Sequence, residues 1–186
     1  MAAGLTPAID LDDPVTAAPA LIGWTLLVEG VGGPIVETEA YRHDDPASHA
    51  FPGRTRRNAV MFGPPGRLYV YLSYGIHWCV NITCGPEGVG GGVLIRAIEP
   101  VHGVDVMRTR RGREPLRELT SGPGRVGQAL GAGPELGGTV ADLRPPDHPR
   151  QVVATARVGI SKAVDHPWRF LDPASPYVSR GPRPHA

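Results

Sequence analysis

The sequence lacks the features of a membrane span, a disulfide scaffold or an amine-dependent site. No window approaches the roughly 18 consecutive apolar residues that a membrane helix needs, so we expect no membrane association. No basic residues precede an apolar run near the N-terminus, and the chain's two cysteines give no disulfide framework. We therefore expect a protein of the reducing cytoplasm. Lys162 is the only lysine, and we interpret it as a surface residue rather than a nucleophile.

Length and composition favour one globular domain. The 186 residues suffice for one core, and 25 glycines with 21 prolines indicate many turns, which argues against a coiled coil. The net charge of +1 hides an asymmetry, because residues 42–125 hold twelve arginines and seven acidic residues. A solvated basic face and a nucleic-acid surface are both compatible with this charge.

The first half of the chain predicts an arm, a hairpin and a loop. Pro7, Pro14 and the adjoining Pro19, with clustered aspartates, predict an irregular arm over residues 1–18. Residues 21–29 and 35–41 are typical of strands, with a turn over residues 30–34. Residues 42–58 show no periodicity and predict a long loop, a kind of segment that often carries function.

The second half predicts another hairpin, further strands and two short helices. Gly75 marks a tight turn between strands at residues 67–74 and 76–84. Ser121 is the expected N-cap of a helix whose early proline is Pro123. The remaining expectations are a strand at 93–100, a helix from 103, a loop over 131–150, a last strand at 151–160 and an irregular tail.

Polar and aromatic residues on these strands form a candidate site. Strand alternation places Glu37, Glu39 and Tyr41 on one face. That face could be a solvated edge, the more common arrangement, or it could hold a desolvated carboxylate that acts as a general base. The tyrosines at 69, 71 and 74 fit either core packing or a platform for a nucleobase. Asn81 fits a turn-stabilising side chain at least as well.

Other catalytic and binding motifs are missing. The glycines at 88 and 90–92 precede a strand and lack a following Lys-Ser/Thr pair, which disfavours a phosphate loop. The two cysteines do not form CxxC, the histidines show no HExxH spacing, and no GxSxG elbow occurs. We therefore expect no metal site.

Several blocks together resemble the alkyladenine (3-methyladenine) DNA glycosylase family. They follow the family's order over nearly the whole chain from about residue 20, and the similarity thins at 132–150. The blocks are VETEAY from Val36, MFGPPGRLYVYLSYGIHWCVNI from Met61, VLIRAIEP from Val93, LTSGPGRVGQAL from Leu119, ARVGI from Ala156 and SPYVS from Ser175. The resemblance implies a monofunctional enzyme of base excision repair that flips an alkylated purine out of damaged double-stranded DNA and hydrolyses its N-glycosidic bond.

The resemblance also implies roles around the scissile bond. Glu39 would be the general base that activates water, with Glu37 supporting it or exposed. Arg96 and the backbone carbonyl of Ile160 would hold that water.

Further roles implied by the resemblance concern the base and the DNA. The base-binding residues would be Tyr41 and Tyr71 as a sandwich, His49 at the base edge, Tyr69 nearby and Asn81 as a guard against guanine. Tyr74 would enter the minor groove from a hairpin tip shared with Ile76 and His77. Some family members carry Met and Tyr at the positions of Ile76 and His77. In such members the loop that corresponds to the one between Tyr41 and His49 is one residue longer.

These observations predict an α+β domain over residues 19–186, with a curved, mainly antiparallel sheet, flanking helices and a protruding hairpin. We expect a monomer that binds damaged duplex DNA and needs no cofactor. Three alternatives stay open at this point: a catalytically silent binder of damaged DNA, a hydrolase of free nucleosides, and a protein-interaction module.

Overall fold

The computed structural model describes residues 9–180, which form eight strands and four α-helices. The strands are β1 (Thr25–Val28), β2 (Val31–Tyr41), β3 (Leu68–Ser73), β4 (His77–Thr83), β5 (Gly92–Ile98), β6 (Asp142–Arg144), β7 (Val153–Thr155) and β8 (Arg169–Leu171). The helices are α1 (Pro14–Ala20), α2 (Val104–Arg111), α3 (Leu116–Thr120) and α4 (Pro123–Leu130), with 3₁₀ turns at Ala59–Phe62 and Pro134–Leu136.

All eight strands belong to one curved antiparallel sheet, which confirms the predicted α+β class. The main order is β3-β4-β5-β2-β1-β6, and β8 joins β2 to β7. The central strand is β2, whose first part pairs with β1 and whose later part lies between β5 and β8. Its pairing with β5 shifts register between Ile35 and Thr38, as in a β-bulge. Residues 37–39 therefore have a strand neighbour on each side.

The core forms where α4 and α1 cover the sheet. Helix α4 packs on β4 and β5, and α1 packs on β2. Each core residue has an apolar side chain, and the most deeply buried ones have no exposed surface. These fully buried residues include Leu21, Leu26, Ile35, Val80, Ile82, Val93, Ile95, Ile98, Met107, Leu119, Val126 and Ala129. Removal of this apolar surface from water provides the main stabilisation of the fold. Within the described residues, no helix is long and apolar enough to cross a membrane.

The prediction of an irregular arm over residues 1–18 is wrong from Pro14 onward, because α1 begins there. Asp13 caps this helix, accepting a hydrogen bond from the Val15 amide at 2.7 Å. Ala17 and Ala18 are fully buried against the sheet, and the Ala18 carbonyl accepts a hydrogen bond from Thr38. Small side chains let the helix approach β2 closely, and this tertiary contact stabilises a helix of only seven residues. Residues 1–8 of the expected arm lie outside the described residues.

The first hairpin is confirmed, but its strands and turn differ from the prediction. Strand β1 begins at Thr25 rather than at residue 21, and the turn is only Glu29 and Gly30. Both turn residues are left-handed, with φ of 50° and 78°, which matches the twist of a two-residue hairpin. Residues 31–34, which were expected in the turn, are therefore part of β2.

The second hairpin is confirmed and carries the site's aromatic strand. Strands β3 and β4 pair from Leu68 with Ile82 to Ser73 with His77. Tyr74 and Gly75 turn the chain with φ of 51° and 67°. The predictions for β5, α2 and α4 are also confirmed, and residues 42–58 contain no helix or strand.

Ser121 is not the N-cap of α4. The N-cap is Gly122, with φ and ψ both 148°, while Pro123 opens the helix as predicted. The Ser121 hydroxyl instead lies against the Arg117 carbonyl in the preceding helix. The capping pattern failed because α3 ends immediately before α4, so the serine serves the earlier helix.

Short strands near the C-terminus also differ from the prediction. Strand β6 lies in the stretch expected to be loop, and β8 lies in the expected irregular tail. The predicted strand at residues 151–160 is reduced to β7. Each of these strands has three residues, too few for a hydrophobic pattern, and is defined by its pairing: β6 with β1, β8 with β2 and β7 with β8.

Replacement of Gly33 by alanine should destabilise the fold. A Cβ at this position would lie 1.9 Å from the Glu99 carbonyl oxygen, a backbone atom that cannot move independently. We expect Gly33→Ala to lower the free energy of unfolding by about 1–3 kcal/mol, measured by urea denaturation. Gly63→Ala is the matched control, because its Cβ would contact only the Val60 carbonyl at 3.5 Å. Equal stability of the two variants would contradict this packing.

Candidate active site

Strand β2 places two carboxylates where water does not reach them. Glu37 and Glu39 have no exposed surface. The solvated edge considered from the sequence is therefore wrong. Buried carboxylates are costly unless they are paired, and both contact the guanidinium of Arg96 on β5.

The Glu39 carboxylate is held by one donor from each of three elements. Its Oε1 accepts the backbone N–H of Val158 at 2.8 Å and lies 3.2 Å from a terminal nitrogen of Arg96. Its Oε2 accepts the hydroxyl of Tyr41 at 2.8 Å. These contacts fix the carboxylate against β5 and against the segment that follows β7.

The Glu37 carboxylate gathers two arginines and a serine. Its Oε1 accepts the Nε–H of Arg96 at 2.9 Å and that of Arg169 at 2.7 Å. Ser179 adds its hydroxyl to Oε1 at 2.8 Å and its amide to Oε2 at 2.6 Å. Burial opposes ionisation, but the two guanidinium charges and the Ser179 hydrogen bonds outweigh it and lower the pKa of Glu37. Of the two expectations for Glu37, supporting or exposed, the structure excludes exposure.

An aromatic wall adjoins the carboxylates. The rings of Tyr69 and Tyr71 on β3 lie 5.8 Å apart at an interplanar angle of 26°. The His49 ring meets Tyr71 edge-on at 4.4 Å, and its Nδ1 lies 3.1 Å from the Tyr69 hydroxyl. The long loop thus brings His49 to the tyrosines, as the resemblance implied.

The titratable groups of this wall are uncharged at neutral pH. Partial burial and the positive charge of Arg57 lower the pKa of His49, which favours the neutral imidazole. Burial raises the pKa of Tyr69 to about 12 and raises the pKa of Tyr71 further, as it does that of Tyr41. The wall can therefore offer neutral aromatic faces and hydroxyl groups to a flat ring.

Asn81 lies within β4, not at a turn. It pairs with Tyr69 on one side and Leu94 on the other, and its side-chain amide donates to the Tyr69 carbonyl at 3.1 Å. The turn-stabilising alternative is therefore wrong. The side chain is 5% exposed and is fixed beside the aromatic wall.

Arg157 is a site residue that the sequence reasoning missed. Its guanidinium carbon lies 4.7 Å from the centre of the Tyr41 ring, and it donates to the Ala40 carbonyl at 2.9 Å. It also forms a buried ion pair with Asp45 of the loop. Arg157 thereby covers one face of Tyr41 and joins the loop to β2. The ARVGI block contained this residue, but arginine alone gives no signal of a buried position.

The backbone of the ARVGI block contacts Glu39 through Val158. The N–H of Val158 reaches Glu39, whereas Ile160 lies two residues further along and is half-buried. The amide of Val158 carried no signal in the sequence, because any residue type supplies a backbone N–H.

The hairpin tip projects apolar side chains into solvent. Tyr74 is 87% exposed and Ile76 is 72% exposed, and His77 beside them is also exposed. The structure therefore separates the predicted site residues into two groups, a cluster around Glu39 and an exposed tip.

The cluster around Glu39 combines a buried carboxylate, a guanidinium and aromatic faces. This set can stack a flat, electron-poor ring and accept a proton from a nearby nucleophile. Within residues 9–180, no three histidine, cysteine, aspartate or glutamate side chains are grouped so that they could hold a metal ion. The side chains present thus supply acid–base and stacking interactions.

Comparison with known proteins gives one consistent result. A protein of Nitrosospira multiformis is 59% identical over 180 residues, covering 94% of this chain and 93% of its own. A relative from Rhodopseudomonas palustris is 57% identical, and the match covers 87% of this chain and 83% of the relative. A relative from Rhizobium meliloti is 53% identical, and the match covers 89% of this chain and 91% of the relative. Each of the three is named as a candidate 3-methyladenine DNA glycosylase. The sequence profile of the methylpurine-DNA glycosylase family matches residues 9–176, and the chain belongs to that family.

Proposed function

We propose that the protein hydrolyses the N-glycosidic bond of alkylated purines flipped from duplex DNA, and that Glu39 activates the water. Family membership makes it a DNA glycosylase. The observation that carries the mechanism is the enclosure of Glu39 by Arg96, the Val158 amide and Tyr41, beside an aromatic wall. A fixed carboxylate next to a stacking surface is what water-dependent loss of a flat leaving group requires.

The reaction needs little activation of the leaving group. A purine alkylated at N3 or N7 carries a positive charge, so it takes the electron pair of the breaking C1′–N9 bond and leaves as a neutral base. The water oxygen bonds to C1′, and its proton passes to Glu39. The carboxylate also stabilises the positive charge that develops on the sugar. Arg96 would orient the water from the side opposite Tyr41, with the Ile160 carbonyl as a further acceptor.

The aromatic wall would select the base. Tyr41 and Tyr71 would stack on its two faces, each contributing about 0.5–2 kcal/mol toward a cationic ring. His49 would contact the base edge beside Tyr69, and the fixed Asn81 amide would obstruct the exocyclic amine of guanine. Arg157 covers one face of Tyr41, so a base would stack on the other.

Access to Glu39 requires one local movement. The Tyr41 hydroxyl covers Oε2, and Glu39 has no exposed surface. The proposal therefore requires this hydroxyl to give way to water when the base binds. Stacking of a base on the Tyr41 ring provides the interaction that can shift this side chain.

The exposed tip would open the duplex. Tyr74 would enter the minor groove and fill the space left by the flipped base, with Ile76 and His77 beside it, which recovers part of the few kcal/mol that flipping costs. The loop contributes the exposed arginines Arg54, Arg56 and Arg57, which can bind phosphates in a salt-dependent manner. One chain carries both the cluster around Glu39 and the tip, so the proposed enzyme acts as a monomer.

Substitution of Glu39 should separate binding from chemistry. We expect Glu39→Gln to keep the affinity for lesion-containing duplex and to lower the single-turnover rate of base release about 100-fold or more, because the amide cannot take the proton. The measurement is release of free 3-methyladenine and 7-methylguanine from methylated duplex. A variant that releases base at the wild-type rate would remove Glu39 from this role.

Truncation of Tyr74 should weaken duplex binding selectively. The phenol ring can replace a flipped base only in a stacked duplex, so we expect Tyr74→Ala to lose about 10-fold or more in affinity for a lesion in duplex and much less for one in a single strand. Val140→Ala is the matched control, since Val140 is an apolar residue that is 68% exposed outside the tip. Equal losses on both DNA forms would refute the wedge role.

A further inference from the structure

Arg96 bridges the two buried carboxylates of β2. Its Nε–H donates to Glu37 at 2.9 Å, and one of its terminal nitrogens lies 3.2 Å from Glu39. A guanidinium group is planar and rigid, so fixing Nε also fixes the direction of the terminal nitrogens. Glu37 therefore determines where the charge of Arg96 meets Glu39.

We propose that Glu37 is a positioning residue for the glycosylase reaction, which holds Arg96 against Glu39 and balances its charge so that Glu39 remains able to take a proton. The inference rests on the proposed role of Glu39. Glu37 itself has no exposed surface, and its oxygens accept hydrogen bonds from Arg96, Arg169 and Ser179, so it acts through Arg96 rather than on the DNA.

The charges around Glu39 explain why Glu37 matters. From β5, Arg96 faces Glu39, and from β8, Arg169 is its partner in the ladder and is bonded to Glu37. Within residues 9–180, the other groups beside Glu39 are neutral: the Tyr41 hydroxyl, the Val158 amide and, from β3, Tyr71. The cation of Arg157 lies behind the Tyr41 ring and is paired with Asp45.

Two carboxylates thus share the positive charge of Arg96 at the centre of the site. Without the charge of Glu37, the guanidinium of Arg96 would act on Glu39 undivided. An excess of positive charge stabilises the carboxylate and makes it a weaker base. The acid limb of the pH–rate profile, which reports ionisation of the base, would then move to lower pH.

The segment after β8 completes this arrangement through Ser179. This residue gives Glu37 both its amide and its hydroxyl, and its hydroxyl accepts a terminal N–H of Arg96 at 3.3 Å. Ser179 is 8% exposed, so water replaces it poorly. Its hydroxyl is neutral, which makes it a probe of position without charge.

The test is the pH dependence of single-turnover release of 3-methyladenine from methylated duplex, from about pH 5 to 9. For Glu37→Gln we expect the acid limb to move down by about one pH unit and the plateau rate to fall about 10-fold, with lesion-duplex affinity retained. For Ser179→Ala we expect a fall of several-fold with the limb unmoved. Asp172→Asn is the matched control. Asp172 is a buried aspartate three residues after Arg169, and it pairs with Arg150 rather than with Arg96. Its loss should leave the acid limb of the pH–rate profile in place.

The outcomes separate this inference from the proposed function. If wild type releases base and Glu39→Gln does not, an unmoved acid limb in Glu37→Gln overturns the role of Glu37 alone. If Glu37→Gln fails to fold, a wild-type rate in Ser179→Ala overturns it. If wild type releases no base, or Glu39→Gln retains the full rate, both the proposed function and this inference fail.

Discussion

The structure depends on a buried contact between the carboxylates of Glu37 and Glu39 and the guanidinium groups of Arg96 and Arg169. Burial of these groups is stable only while each has its partners, since the loss of one leaves an uncompensated charge in a medium of low polarity. The partners come from different strands: Arg96 is on β5, and Arg169 is on β8. The sheet must therefore be complete before the site exists, and the pairing of β2 with both neighbours couples folding to function.

Strand β2 is buried on both faces over residues 35–40. A regular antiparallel strand often alternates one face toward the core and one toward solvent, but all six of these residues are buried. Its two carboxylates therefore pair inside the protein. The loop after β2 then returns His49 to β3, and Arg157 ties the loop to β2 through Asp45. Rigid strands hold the carboxylates, and a tethered loop and an exposed tip supply the surfaces that would meet DNA.

The sequence predicted correctly those turns and helix starts that depend on the conformational preference of a single residue. The left-handed turn at Gly75 and the proline that opens α4 are consequences of single residues, and both are confirmed. The three-residue strands β6 and β8 and the short α1 were not predicted, because their stability comes from distant partners. Alternation placed Glu37 and Glu39 on one face but could not show whether that face was buried. Sequence blocks identified the residues that gather around Glu39, whereas Arg157 and the Val158 amide became visible only with the three-dimensional structure.

The proposed reaction is hydrolysis of the N-glycosidic bond without cleavage of the DNA strand. The most direct measurement follows released base and strand length together while the wild-type protein reacts with methylated duplex. We expect free 3-methyladenine, released faster than in the spontaneous reaction, together with an abasic sugar in an intact strand. Strand cleavage at the abasic site during base release, or base release no faster than the spontaneous reaction, would contradict this proposal.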